Sequence, residues 1–172
     1  MAAGRGRLLP CACLWGGERT GPSPVDRRKP GSKHHLITCG RGNPLAAETT
    51  AANVNDITRF VSLVDAVPAV RGQRGRPRRR PKSVYGDRAY HSRKSRRELR
   101  RRRVKVRVAR PSDPHGSGLG RKRWVVERTI SWLHQYRRLR VRYERRADIH
   151  EAFLTIGCCL ICLKQLQAAE SF

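Results

Sequence analysis

Two acidic residues, Asp87 and Glu127, stand where a carboxylate can do more than balance charge. Asp87 closes the apolar and aromatic run "KSVYGD" just before a basic turn, and ligand-handling residues of α/β sheets favour the ends of strands. Glu127 lies in "RKRWVVERTISWLHQYRRL", where helical spacing aligns Arg123, Glu127, Ser131, His134 and Arg138 on one polar stripe. Val126, Ile130 and Leu133 flank that stripe on one side; Val125, Trp132 and Tyr136 flank it on the other. Carboxylates so placed suit phosphoryl transfer. Magnesium takes hard oxygen ligands, and two metals about 4 Å apart can activate a water or sugar hydroxyl and stabilise the leaving oxygen. The competing reading is that each acid is absorbed into a salt bridge among the arginines, and spacing alone leaves both open.

Charge names a partner. Thirty-nine Lys and Arg against 13 Asp and Glu give +26. Between Arg71 and His150 there are 29 basic and 6 acidic residues, a net of +23 in that stretch. A solvated charge run or a localisation tract is one explanation. A nucleic acid is the stronger one, because every phosphate neutralised releases a counterion. The planar guanidinium suits phosphate, so Arg78, Arg79, Arg80, Arg97 and Arg101 are candidate DNA contacts. Trp124, Trp132 and Tyr136 read as core first and as stacking groups near DNA second.

The six cysteines make no disulfide framework. Cys158, Cys159 and Cys162 sit in "AFLTIGCCLICLKQL", which reads as a buried helix and not as a zinc knuckle. Reduced thiols fit a cytoplasmic protein. The apolar run Ala152 to Leu163 is shorter than the about 20 residues a span needs, and "MAAGRGRLLPCACLW" is broken by Pro10, unlike a secretory leader.

The elements that must position these groups follow from periodicity. Residues 1–32 read as an irregular basic tail and loop. "KHHLITCG" is a strand and "LAAETTAANVND" a second one running into a loop. Asp56 is a candidate cap for the helix "ITRFVSLVDAV". An Arg-rich linker covers about 69–82. "KSVYGDRAY" gives a strand, "SRKSRRELRRRR" a helix, and "VKVRVARP" alternates as a half-buried strand. "PSDPHGSGLG" is a loop. A long helix runs from Lys122 to about Arg142 and another from Ala147 to Leu166. This order implies an α/β domain with a mixed sheet.

"VYGDRAY" resembles the block around the second catalytic Asp of DDE transposases of bacterial insertion sequences (the IS4/IS5-like group). "RKRWVVERTISWLHQYRRLRVRYERRADIHEAFLTIGCCLICLKQL" resembles the block around their catalytic Glu. "GGERTGPSPVDRRKPGSKHHLIT" and "NDITRFVSLVDAVPAVRGQRGRPRRRP" are similar to the family's earlier sheet and linker, so the likeness covers about Gly16 to Leu166. The resemblance implies an RNase H-like catalytic core over 33–168, its N-terminal part incomplete. It implies a magnesium (or manganese) two-metal site held by Asp87 and Glu127. It also implies transposon-end and target DNA as partners, a possible homo-oligomer in a synaptic complex, and a cytoplasmic, nucleoid-associated setting. The family's signature places an Arg four residues before the Glu and a basic residue seven after, here Arg123 and His134, which the resemblance implies are DNA contacts; where it has an aromatic, this chain has Gly120. The family's first catalytic Asp belongs on a strand just before the "GG" block, and this chain has no acid before Glu18. The expectation is a C-terminal fragment impaired in cleavage, the alternative a non-catalytic basic DNA-binding remnant; a ribosome-associated factor and an unrelated nuclease of the same fold also remain open.

Overall fold

The computed structural model describes residues 2–3, 10–71, 75–109 and 120–170, with the backbone alone for residues 2, 3, 89 and 120–123. The expected loop 111–120 falls almost wholly outside them.

The strand β4 (Pro30–Thr38) is the axis of the molecule. Every residue from Gly31 to Thr38 is buried, so both its faces are covered and its side chains alternate between two cores. Leu36 packs with Val126, Ile130, Leu133, Leu139, Leu154 and Ile161. Ile37 packs with Phe60, Leu63, Val64, Val84 and Leu99. One edge of β4 pairs antiparallel with β5 (Pro44–Ala51) and the two-residue β3 (Gly21–Pro22). The other edge pairs antiparallel with β1 (Ala2–Ala3) and β2 (Cys11–Cys13). β1 continues into β6 (Ser83–Gly86), and β6 into β7 (Lys105–Val108), both parallel. β2 pairs in parallel with β8 (Val141–Arg142). The sheet is therefore mixed.

The helices α1 (Phe60–Asp65) and α2 (Arg93–Arg101) cover the Ile37 face. The helices α3 (Gly120–Leu133), α4 (Arg137–Arg140) and α5 (Ala147–Glu170) belong to the Leu36 face. The expected adjacency of the strands ending at Asp87 and Val108 holds, in register Ser83 with Lys105 to Gly86 with Val108. α3 packs on this sheet, against β1, β4 and β6.

Several expectations change. Among the described residues before 33, the chain is not all irregular tail: β1, β2, β3 and the start of β4 lie there, because backbone donors and acceptors beside a buried strand must be paired. In the stretch 69–82, Val70 and Arg78 form an antiparallel bridge. The residue that caps the 3₁₀ turn Asp56–Arg59 leading into α1 is Asn55, whose side chain accepts from the Ile57 N–H at 3.2 Å. Asp56 is buried instead, paired with Lys33 Nζ at 2.7 Å. The long helix ends at Leu133. Tyr136 takes an extended backbone (φ −78°, ψ 118°) before α4 begins, which carries Leu139 into the core and Val141–Arg142 onto β2. α5 runs for 24 residues, beyond the apolar run seen in sequence, and by length and composition it is long and apolar enough to cross a membrane. Here its Leu154, Gly157 and Ile161 are buried against the sheet and its neighbouring helices.

Candidate functional site

Asp87 follows β6 directly. Its backbone stays extended (φ −71°, ψ 163°), and its Oδ1 accepts from the Arg88 N–H at 2.6 Å, capping a 3₁₀ turn over Arg88–Tyr90. In β6, Val84 faces the Ile37 core and Tyr85 the Leu36 core. The same alternation carries Asp87 to the side of the sheet on which α3 lies.

Glu127 is exposed on α3, next to the fully buried Val126. The two flanks of α3 differ. Thr129 Oγ1 donates to the Gly42 carbonyl at 2.8 Å and Arg128 Nη2 to the Arg41 carbonyl at 2.8 Å, so that flank grips the β4–β5 turn. Glu127 lies on the opposite flank by helical spacing. His134 shares its flank, and the His134 ring stands edge-on to His34 of β4 at 6.2 Å between centroids. Burial and the nearby Arg140 lower the His134 pKa from its ordinary value, so this expected DNA contact is half-buried and neutral at pH 7. Nothing is described of the Arg123 side chain.

Among the described residues, neither Asp87 nor Glu127 belongs to a group of three or more His, Cys, Asp or Glu side chains able to share one ion. Two carboxylates give fewer anionic oxygens than a two-metal centre uses, so the donor set described here does not complete such a centre.

The arginines divide by partner. Arg101 is committed to Glu98 at 2.9 Å, and Arg102 bridges Glu98 and Asp65. Arg78, Arg79, Arg80 and Arg97 are exposed. Arg96, Arg100, Arg103, Lys105 and Arg107 line an open groove of about 520 Å³ between α2 and the edge strand β7. Arg96 donates to the Val108 carbonyl there. Sequence reading missed this groove because it is assembled from a helix and a strand whose register only the fold supplies. The signal available was the alternation in "VKVRV", which puts Lys105 and Arg107 on one face. Trp124, expected in the core, is 48% exposed; the Arg128 guanidinium sits between its ring (4.4 Å) and that of half-buried Trp132 (4.7 Å).

A family model described as the transposase DDE domain matches residues 14–163. The chain belongs to the DDE transposase family. A protein of Burkholderia cepacia, assigned as a transposase for insertion sequence element IS402, is 54% identical over 170 residues, which cover 99% of this chain and 81% of that protein. No solved structure matches the chain. Members of this family act on DNA, and the DDE domain generally implies a divalent metal.

Proposed function

We propose that this DDE transposase chain is an RNase H-like core that binds transposon-end and target DNA but is impaired in cleaving it. The reading of the fold rests on the strand order. β4 is flanked by β5 on one side and by the β1–β2 edge on the other, followed by β6 and β7. Helices cover both faces of the sheet. In this reading Asp87 and Glu127 are the second and third carboxylates of the catalytic site, set on one side of the sheet by β6 and α3. A third carboxylate restored beside them would let divalent metal activate a water or sugar hydroxyl there. The proteins' own groups would orient: the Arg88 N–H fixes one Asp87 oxygen, and Val126 in the core holds the turn of α3 that carries Glu127.

One observation carries the impairment. Ala2–Ala3, between β4 and β6, and Cys11–Cys13, between β4 and β8, stand on the edge of β4 where the resemblance puts the family's first Asp, and neither strand carries a carboxylate. Loss of positioning alone can cost about 100-fold. Nicking of end-bearing DNA in magnesium or manganese tests this. The expected outcome is binding with little or no cleavage. A chain given an Asp-bearing family strand ahead of Gly16 should cleave, and Glu127→Gln in that chain should abolish the cut. Strong cleavage by the present chain, dependent on Asp87, would overturn the impairment. The same reading places the protein in the cytoplasm on nucleoid DNA, paired with a second copy when two ends are joined.

A further inference from the structure

Cys11 on β2, His34 on β4 and His150 in the first turn of α5 meet in one cluster that contains neither Asp87 nor Glu127. All three are buried. The Cys11 sulfur lies 3.9 Å from His34 Nε2 and 3.8 Å from His150 Nε2, and the two Nε2 atoms are 2.8 Å apart. Two imidazole edges turned toward each other and toward one sulfur form a donor triangle with a common centre. We propose that this triangle binds zinc and so ties β2 to β4 and α5.

The donor chemistry selects the metal. Thiolate with two imidazoles suits a borderline-soft divalent ion and disfavours magnesium or calcium. The triangle admits an ion about 2.3 Å from the sulfur and about 2.0 Å from each nitrogen. A tetrahedral angle asks the two nitrogens to part by about 0.5 Å, and the fourth position falls to water. Ligating histidines usually donate their other ring N–H to a carboxylate or carbonyl. His150 Nδ1 does have such a partner, Glu144 Oε2 at 3.3 Å. Glu144 is in turn held by Arg138 and by the Tyr143 N–H. With the proton on Nδ1, the His150 Nε2 lone pair faces the triangle.

The Cys11 thiolate offsets one charge of the zinc, and Glu144, shared with Arg138, offsets part of the second. The buried Arg142 spends its donors on Ser32 Oγ (2.7 Å), the Glu144 carbonyl (2.8 Å) and the Arg145 carbonyl (3.2 Å). On loading, the Cys11 S–H bond is replaced by S–Zn and its proton leaves to buffer. The proton held between the two Nε2 atoms moves to His34 Nδ1. Cys13 stays outside the set, hydrogen-bonded with Ser32 Oγ at 3.4 Å.

The full chain, stripped with chelator, should take up one equivalent of cobalt(II) with the visible bands of a tetrahedral ion and a thiolate charge-transfer band, and zinc should displace it. Cys11→Ser should remove the charge-transfer band, while Cys159→Ser, on the exposed face of α5, should leave it. Glu144→Gln should keep the bands and weaken affinity by about 10- to 100-fold. X-ray absorption of the zinc-loaded wild-type chain needs no variant to fold and should show one sulfur and two imidazoles. Absence of stoichiometric uptake, bands that survive Cys11→Ser, or another ligand set would overturn the proposal. None of these readouts involves DNA, so their failure leaves the transposase reading standing.

Discussion

Lys33 and Asp56 form a buried ion pair, with side chains only 11% and 7% exposed. Lys33 Nζ also donates to the Val54 carbonyl at 3.0 Å, so the pair ties β4 to the turn that starts α1. Removing one partner of such a pair leaves an uncompensated buried charge, which costs about 3–5 kcal/mol. Asp56→Ala should lower stability in urea by that order, and Lys33→Met with Asp56→Leu should recover much of it; a single-variant loss below about 1 kcal/mol would show that the charge is solvated. Sequence reading gave Asp56 a capping role because the residue before a helical pattern commonly caps it. The cap fell to its neighbour Asn55, and only the register of β4 brings Lys33 within reach of Asp56. A second residue-scale contrast lies in α5. Burial pushes the Cys158 thiol up to about 12, whereas Cys159 is exposed. At pH 8 Cys158 stays a thiol, and the thiolate is the nucleophile, so iodoacetamide should label Cys159 well before Cys158, as read by peptide mass spectrometry.

Among the elements, the contact of α5 with α3 and α4 depends on one missing side chain. A Cβ on Gly157 would lie 2.7 Å from Leu139 Cδ1 and 3.1 Å from Leu133 Cδ2. Gly157→Val should cost about 1–3 kcal/mol by overpacking, despite relieving the glycine cost of a helix interior; thermal unfolding reads it, and a rise in melting temperature would mean that Leu139 yields freely. Sequence periodicity found α5, α2 and the pair β6–β7 because each carries its own local signal. Ser92 caps α2, and Val104, Val106 and Val108 alternate. Periodicity failed at Tyr136, where "HQYRRLRVRY" continues the helical pattern without Gly or Pro. The break is made by tertiary pairing of Val141 with Ala12 and of Arg142 with Cys13, partners more than a hundred residues away. The same limit hid β2, a three-residue strand in a stretch of Gly, Pro and Arg. It also hid the Cys11–His34–His150 triangle, whose members come from three elements. Asp87 and Glu127 were legible as candidates from their own neighbourhoods, and so was the packing of the Glu127 helix on the sheet that Asp87 closes.

At the scale of the whole molecule, the +26 charge is sorted by the fold. Arg101 and Arg102 are drawn into Glu98 and Asp65, and Arg142 is buried among carbonyls and a hydroxyl. Arg100, Arg103, Lys105 and Arg107 are exposed along one groove, and no ion pair engages them among the described residues. An edge strand with charged side chains also resists pairing with another sheet, and in the proposed reading the same groups of β7 would contact phosphate. Binding to duplex DNA should therefore be tight, weakly selective in sequence and steeply weakened by salt, since each neutralised phosphate adds about −0.9 to the slope of log K against log salt. Replacing Arg100, Arg103, Lys105 and Arg107 together by Ala removes up to four such contacts without touching a core residue. The slope should become shallower by roughly 3–4, with the melting temperature almost unchanged. Arg102→Ala gives the opposite pattern: it loses the Asp65 and Glu98 bonds, so stability falls while the salt slope moves little. Fluorescence anisotropy with a labelled duplex at several salt concentrations separates the two. An unchanged slope in the fourfold variant would move the DNA path away from the groove between α2 and β7 and toward the exposed Arg78, Arg79 and Arg80.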